Sequence, residues 1–129
     1  MEFTQIKETC LYVSDLDQSY VFYHHKLGLP LISRVPNRHV FFRLGSSVLL
    51  CFLPEVTKEE QELPPHYAWG KQHIAFEVNQ TKYSETKESI IQKGIAITHT
   101  HQWKGGFESF YFEDPDGHVL EIVPQGMWE

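Results

Sequence analysis

An α+β fold made of two tandem βαβββ modules, curving as a mixed sheet around a central cleft, is what this 129-residue sequence predicts. Three observations carry that prediction. Short runs with period-two alternation recur along the chain, an amphipathic helical pattern follows the first strand of each half, and the same order of elements with matching punctuation occurs twice. The modules cover about residues 5–54 and 72–125, joined by a connection over about 55–71. At this length a single domain, 1–129, with a core that needs no staple to hold it is expected.

The elements follow in order. ETCLYV, residues 8–13, alternates so that Thr9, Leu11 and Val13 share one face and Glu8, Cys10 and Tyr12 the other, the pattern of a half-buried strand. Asp15 with Gln18 three residues later is a capping pair, and Leu16, Tyr20, Tyr23 and Leu27 recur at helical spacing until Gly28 ends the run. Strands are predicted over 31–35, 39–44 and 48–53, separated by Pro36-Asn37 and Gly45-Ser46, residues that turns favour. The second half repeats this order: a strand over 73–78, a helix over 81–93 stopped by Gly94, then strands over 95–101, 107–113 and 119–123. The last two are hinged at Asp114-Pro115-Asp116-Gly117. Between the halves, PEVTKEEQELPPHYAWGKQ is charged, carries two adjacent prolines and has no clear period; its 58–62 portion reads as solvated chain or a single helical turn.

Composition excludes several classes. Seventeen acidic residues against eleven basic ones give a formal charge of −6, the wrong sign for neutralising phosphates, so nucleic acid is not an expected partner. The apolar runs are far shorter than a membrane span, and the first twenty residues lack the uninterrupted apolar core of a signal peptide, which makes the cytoplasm the expected address. Cys10 and Cys51 make no disulfide framework and are expected as thiols.

The repeat singles out chemistry. Laying QHIAFEV over KETCLYV places His73 on Glu8, and laying EIVP over CFLP places Glu121 on Cys51. Two modules related by a pseudo-twofold would bring these positions around one cleft. Three of the four are carboxylate or imidazole, donors that suit Zn, Ni, Mn, Co or Fe, and two carboxylates with a neutral imidazole offset a divalent ion. Without a cation, two carboxylates in a partly apolar trough raise at least one pKa at a cost. Taken singly, a strand Glu is ordinarily exposed and a His ordinarily a hydrogen-bonded structural residue; their repeat positions set Glu8, His73 and Glu121 apart.

Other residues keep two readings. Cys51 and Cys10 are small buried hydrophobes or line the pocket. His24 and His25 fall on the helix surface, and His118 either faces solvent or bonds to the turn. His66 and Trp69 in the connection and Trp103 before the seventh strand are pocket candidates, since loops bounding a cleft carry specificity. His99 and His101 share one strand face, in the pocket or in solvent. Trp103 and Trp128 are walls for a planar or acyl substrate, or core packing.

The runs ETCLYVSDLDQSYVFYHHKLGL, KQHIAFEV and FYFEDPDGHVLEIVP together resemble the vicinal-oxygen-chelate superfamily, which includes glyoxalase I, bleomycin-resistance proteins, fosfomycin-resistance enzymes and extradiol dioxygenases. The likeness spans nearly the whole chain and points strongly to the fold and weakly to one reaction. It implies Glu8, His73 and Glu121 as metal positions, with Cys51 where some glyoxalases have a fourth carboxylate. It also implies a small substrate presenting neighbouring oxygens to a divalent metal, and a homodimer in which the site draws on one subunit or both. By this resemblance the leading expectation is a glyoxalase-like lyase or isomerase with Glu121, or else Glu8, as the base. The rivals are an extradiol ring-cleaving dioxygenase, a fosfomycin-type thiol transferase and a non-catalytic bleomycin-resistance-like drug binder. Glu8 stands where dioxygenases and fosfomycin enzymes usually carry His, and no basic cluster suits a phosphonate.

Overall fold

The computed structural model describes residues 1–129, which divide into two compact units, Met1–Gly70 and Lys71–Glu129. The first contains β1 (Glu8–Tyr12), α1 (Leu16–Tyr20), β2 (Leu31–Val35), β3 (His39–Leu44), β4 (Ser47–Phe52) and a one-turn α2 (Pro54–Thr57). The second contains β5 (His73–Val78), α3 (Tyr83–Gln92), β6 (His99–Gln102), β7 (Glu108–Glu113) and β8 (Val119–Pro124). Each unit is one four-stranded mixed sheet, in the orders β1-β4-β3-β2 and β5-β8-β7-β6. First and last strands run parallel and the other neighbours antiparallel, so the predicted α+β class and the doubled βαβββ order are what the chain adopts.

Alternation sorts each sheet into a core face and an open face. In the first unit Leu11, Val40, Phe42, Leu49 and Cys51 are buried on the side of Phe22 and Tyr23, whose Tyr23 ring lies 5.6 Å from that of Phe42. In the second, Phe76, Phe110, Phe112, Leu120 and Ile122 are buried with Ile90 of α3, and the Tyr83 ring stands 5.5 Å from that of Phe110. Each such side chain contributes about 1.5–3 kcal/mol on burial. The open face of the second sheet, by register, carries His73, Ala75, Glu77, Glu121, Tyr111, Ser109, His99 and His101.

Several elements depart from the sequence reading. Asp15 does cap the first helix, accepting from the Gln18 N–H at 3.0 Å, but after Tyr20 the helix widens into a π turn over Val21–Lys26. Leu27 N–H then reaches the Phe22 carbonyl at 3.0 Å, and the inward residues become Ser19, Phe22 and Tyr23, while Leu16, Tyr20 and Leu27 are half-buried. The sixth strand begins at His99 rather than at residue 95, because the Ile95 N–H closes the end of α3 on the Ile90 carbonyl at 3.2 Å. The helical turn of the connection forms at Pro54–Thr57, ahead of 58–62, where proline sits in the first turn and needs no donor. No helix is long and apolar enough to cross a membrane.

The β7–β8 hairpin is held by Asp114, 5% exposed, whose Oδ1 accepts the N–H groups of Asp116 and His118, each at 2.9 Å. Gly117 has φ 79°, a conformation that L side chains resist, and a Cβ there would meet Lys71 Cε at 3.2 Å. His118 is buried, and its Nδ1 accepts the Gln72 N–H at 3.0 Å, so it ties the turn to the start of β5 instead of facing solvent. Asp114→Ala leaves two turn amides without an acceptor and is expected to cost about 1–3 kcal/mol in denaturant unfolding. Asp114→Asn, which keeps an acceptor oxygen, should lose less.

A second buried polar group sits on β3. His39 Nδ1 accepts from Arg38 Nη1 at 2.5 Å, its Nε2–H donates to Ser33 Oγ at 3.0 Å, and Arg38 also pairs with Glu60 at 2.9 Å. Burial, and then the guanidinium, push His39 below its ordinary 6.5. The unfolded chain therefore takes up this proton first, so the contribution of His39 to stability is complete above pH 6.5 and is lost as pH falls from there through the lower folded value. Measured from pH 8 downward, stability should decline more steeply in the parent than in His39→Gln, and equal slopes would contradict this account.

Candidate functional site

The opposition of β5, β8 and β7 builds one cluster. Glu121 is the third residue of β8; Ala75 lies opposite on β5 and Tyr111 opposite on β7. Because Ala75 is small, the ring of His73, one diagonal away, can lean across it, and His73 Nε2 comes within 3.3 Å of Glu121 Oε2. The glutamate side chain is 7% exposed and the histidine 51%. His73 Nδ1–H donates to the Val119 carbonyl at 2.8 Å; since a carbonyl only accepts, the neutral ring keeps its lone pair on Nε2, facing the carboxylate. Two electron-rich atoms at that distance repel unless a proton or cation lies between them.

Glu121 Oε1 is buried and has no hydrogen-bond partner. Such an orphan ordinarily costs about 1–3 kcal/mol, more when charged. On its other flank the Tyr111 pKa is raised, by burial first and then by its hydrogen bond to Glu121. The donor set, one imidazole nitrogen oriented by its second nitrogen and one carboxylate with an uncommitted oxygen, fits a borderline divalent ion. No group of three or more His, Cys, Asp or Glu side chains in the chain is arranged to hold one.

The other predicted residues fall in two places. Glu8 is exposed at the start of β1, on the open face with Cys10 and Tyr12. Partial burial and then the Glu8 carboxylate raise the Cys10 thiol, which keeps it protonated and a weak nucleophile at neutral pH. His66 folds back over that face, its ring edge-on to Phe52 at 4.6 Å and 6.1 Å from Tyr12; its backbone N–H donates to the Thr57 carbonyl at 3.2 Å and its ring Nδ1–H to the Pro64 carbonyl at 3.1 Å. Trp69 is exposed beside Tyr67, ring centroids 5.2 Å apart. In the second unit His101 stands edge-on to Trp103 at 4.5 Å, and Trp103 lies 5.9 Å from Trp128 while its Nε1–H donates to Ser109 Oγ at 2.8 Å.

Cys51 is a correction. It is fully buried, opposite Leu11 and Val40 on the core face, so it neither lines an open pocket nor matches Glu121. Glu121 pairs with the residue two beyond His73, and the residue two beyond Glu8, Cys10, pairs with Leu50; Leu50 is the true equivalent. The matching prolines mislead, because Pro124 is the last residue of β8 whereas Pro54 opens α2. One residue of slip moves a strand side chain to the other face. Tyr111 was missed: counting back from a four-residue turn at 114–117 pairs Glu121 with Phe110, whereas the Asp114 N–H bond to the His118 carbonyl lengthens the loop by one residue and sets Tyr111 opposite Glu121.

Comparison with known proteins agrees with this architecture. The profile of the Glyoxalase/Bleomycin resistance protein/Dioxygenase superfamily matches residues 5–122. The chain is 34% identical over 112 residues to glutathione transferase FosA of Serratia marcescens, covering 87% of this chain and 74% of that one. It is 31% identical to lactoylglutathione lyase of Salmonella typhimurium, over 92% of this chain and 91% of that one. The crystal structure of lactoylglutathione lyase from Agrobacterium tumefaciens superposes with a TM-score of 0.93 at 32% identity, over 98% of both chains. The chain belongs to the Glyoxalase/Bleomycin resistance protein/Dioxygenase superfamily.

Proposed function

We propose that this protein is a divalent-metal-dependent enzyme of the glyoxalase kind, a lyase or isomerase acting on a small oxygen-rich, thiol-linked substrate. The observation that carries this reading is the buried Glu121 carboxylate with one unpartnered oxygen beside the oriented lone pair of His73. Glu8, the residue that matches His73 in the other unit, is the third ligand of this reading, contributed either by the same chain or by a second copy in a homodimer. A divalent ion in that position supplies Lewis-acid stabilisation of negative charge on a substrate oxygen. The residues of the chain do the rest. His73 is held in one tautomer by Val119, Glu121 offers a carboxylate oxygen to take a proton from carbon next to a carbonyl, and Tyr111 supplies a hydroxyl that steadies that carboxylate. The lyase relatives support proton transfer within a glutathione adduct as the reaction.

A second reading, thiol transfer, is favoured by the similarity to the Serratia glutathione transferase. Turnover of a hemithioacetal against thiol addition to an epoxide antibiotic separates the two, with catechol cleavage as the control for ring-opening chemistry.

Metal analysis of protein purified without chelator should find about one tightly held divalent ion per chain, with severe loss in His73→Ala and Glu121→Ala. Glu121→Gln should also lose the ion, yet its metal-free form should be more stable than the metal-free parent, by order of 1 kcal/mol, because a buried charge has been removed. Normal metal content in His73→Ala, or a less stable metal-free Glu121→Gln, would count against the proposal.

A further inference from the structure

We propose that His99 and His101 form a second, weaker chelating site for a borderline divalent transition ion such as Zn, Ni or Cu, independent of the His73–Glu121 pair. The two residues stand at alternate positions of β6, the edge strand of the second sheet, and every residue of that strand is exposed. Alternation puts both imidazoles on the same face, their ring centroids 6.0 Å apart and their planes inclined by 30°. Two imidazole nitrogens on one tetrahedral ion, each about 2 Å from it, set the centroids roughly 5 Å apart. Exposed rings cover that difference by turning about their side-chain bonds, with no movement of the strand.

The surroundings suit a cation. The contacts of these rings are with other rings: His99 lies 5.7 Å from Tyr111 and His101 4.5 Å from Trp103, so their nitrogens are not spent on neighbours. Trp103 is pinned through its indole N–H to Ser109 and backs His101 without competing for an ion. The Lys87 ammonium reaches Thr100 and Glu108, which by register lie on the opposite face. By register no lysine or arginine of the sheet shares the face of the two histidines, and the chain carries a formal charge of −6. Two protein donors leave the remaining positions to water, which makes the site weaker than a three-donor centre. The bland alternative is a pair of solvated polar residues guarding a sheet edge.

The test uses the whole protein already holding its tight ion, titrated with Ni by calorimetry at neutral pH. A second event of one ion per chain is expected, weakened by more than roughly tenfold in His99→Ala and in His101→Ala, since losing one arm removes the effective-concentration advantage of a chelate. It should persist in His73→Ala and in His25→Ala. Cu should quench the indole fluorescence of the parent through Trp103, and the quench should fall in His101→Ala; Trp103→Phe should lose most of the quench while keeping the calorimetric event. Unchanged second-site binding in both β6 variants overturns the proposal, as does loss of both events in His73→Ala. Absence of the tight ion with the second event intact would sink the catalytic reading alone.

Discussion

A carboxylate buried in the central strand of a sheet with one oxygen left unbonded is the constraint around which the second unit is arranged. Glu121 lies on β8 between β5 and β7, and its Oε1 has no partner. A chain selected for stability alone would place Leu or Val there and avoid the desolvation cost. Instead the neighbours accommodate the acid: Ala75 leaves room opposite, His73 leans in with a fixed tautomer, and Tyr111 donates from the other flank. The Asp114 turn matters for the same reason, since it sets the register that brings Tyr111 opposite Glu121 rather than one residue away. Local rules are broken at this one point and obeyed around it, the pattern expected where stability is given up for chemistry.

The first unit shows what the same scaffold does without that demand. Position for position, Leu50 stands where Glu121 does and Val48 where Val119 does, so the last strand of the first sheet presents apolar side chains to its open face. Phe52, Phe41 and Tyr12 continue that surface, with the His66 ring edge-on to Phe52 and the Arg38 guanidinium 5.4 Å from the Phe52 ring. Glu8 is then the lone carboxylate of its face, exposed on the edge strand of the sheet. The two sheets share one backbone hydrogen-bonding plan and differ in what their open faces carry.

Much of this was legible in the amino-acid order because strands announce themselves by a period of two. The strands over 31–35, 39–44 and 73–78 match residue for residue, and Gly28 and Gly94 take the positive φ that ends each helix. What periodicity could not show was where hydrogen bonding departs from the regular plan. The π turn brings Phe22 inward beside Tyr23 by changing which carbonyl accepts, and the short β6 follows from an amide spent on closing α3. At the site, His73 and Glu121 do come together, but the repeat alignment that singled out Glu121 was one residue out, since it matched Glu121 to Cys51 and not to Leu50, and Tyr111 was overlooked. Both errors concern register, which depends on turns and on the last residue of a strand, and neither leaves a mark in local composition.

The charge on the open face of the second sheet bears on which substrates it can meet. Glu77, Glu113 and Glu121 share that face with three imidazoles, and the Lys71 ammonium lies 3.7 Å from Glu113. A free anion approaching such a surface is repelled, while a cation is drawn in and, once there, reverses the local sign. The face as it stands therefore disfavours an anionic partner, and a positive ion held there would reverse that preference. The uncommitted oxygen has the same logic: a hydrogen bond to Oε1 would lower the cost of burying this carboxylate, and would compete for that oxygen with any cation placed beside it.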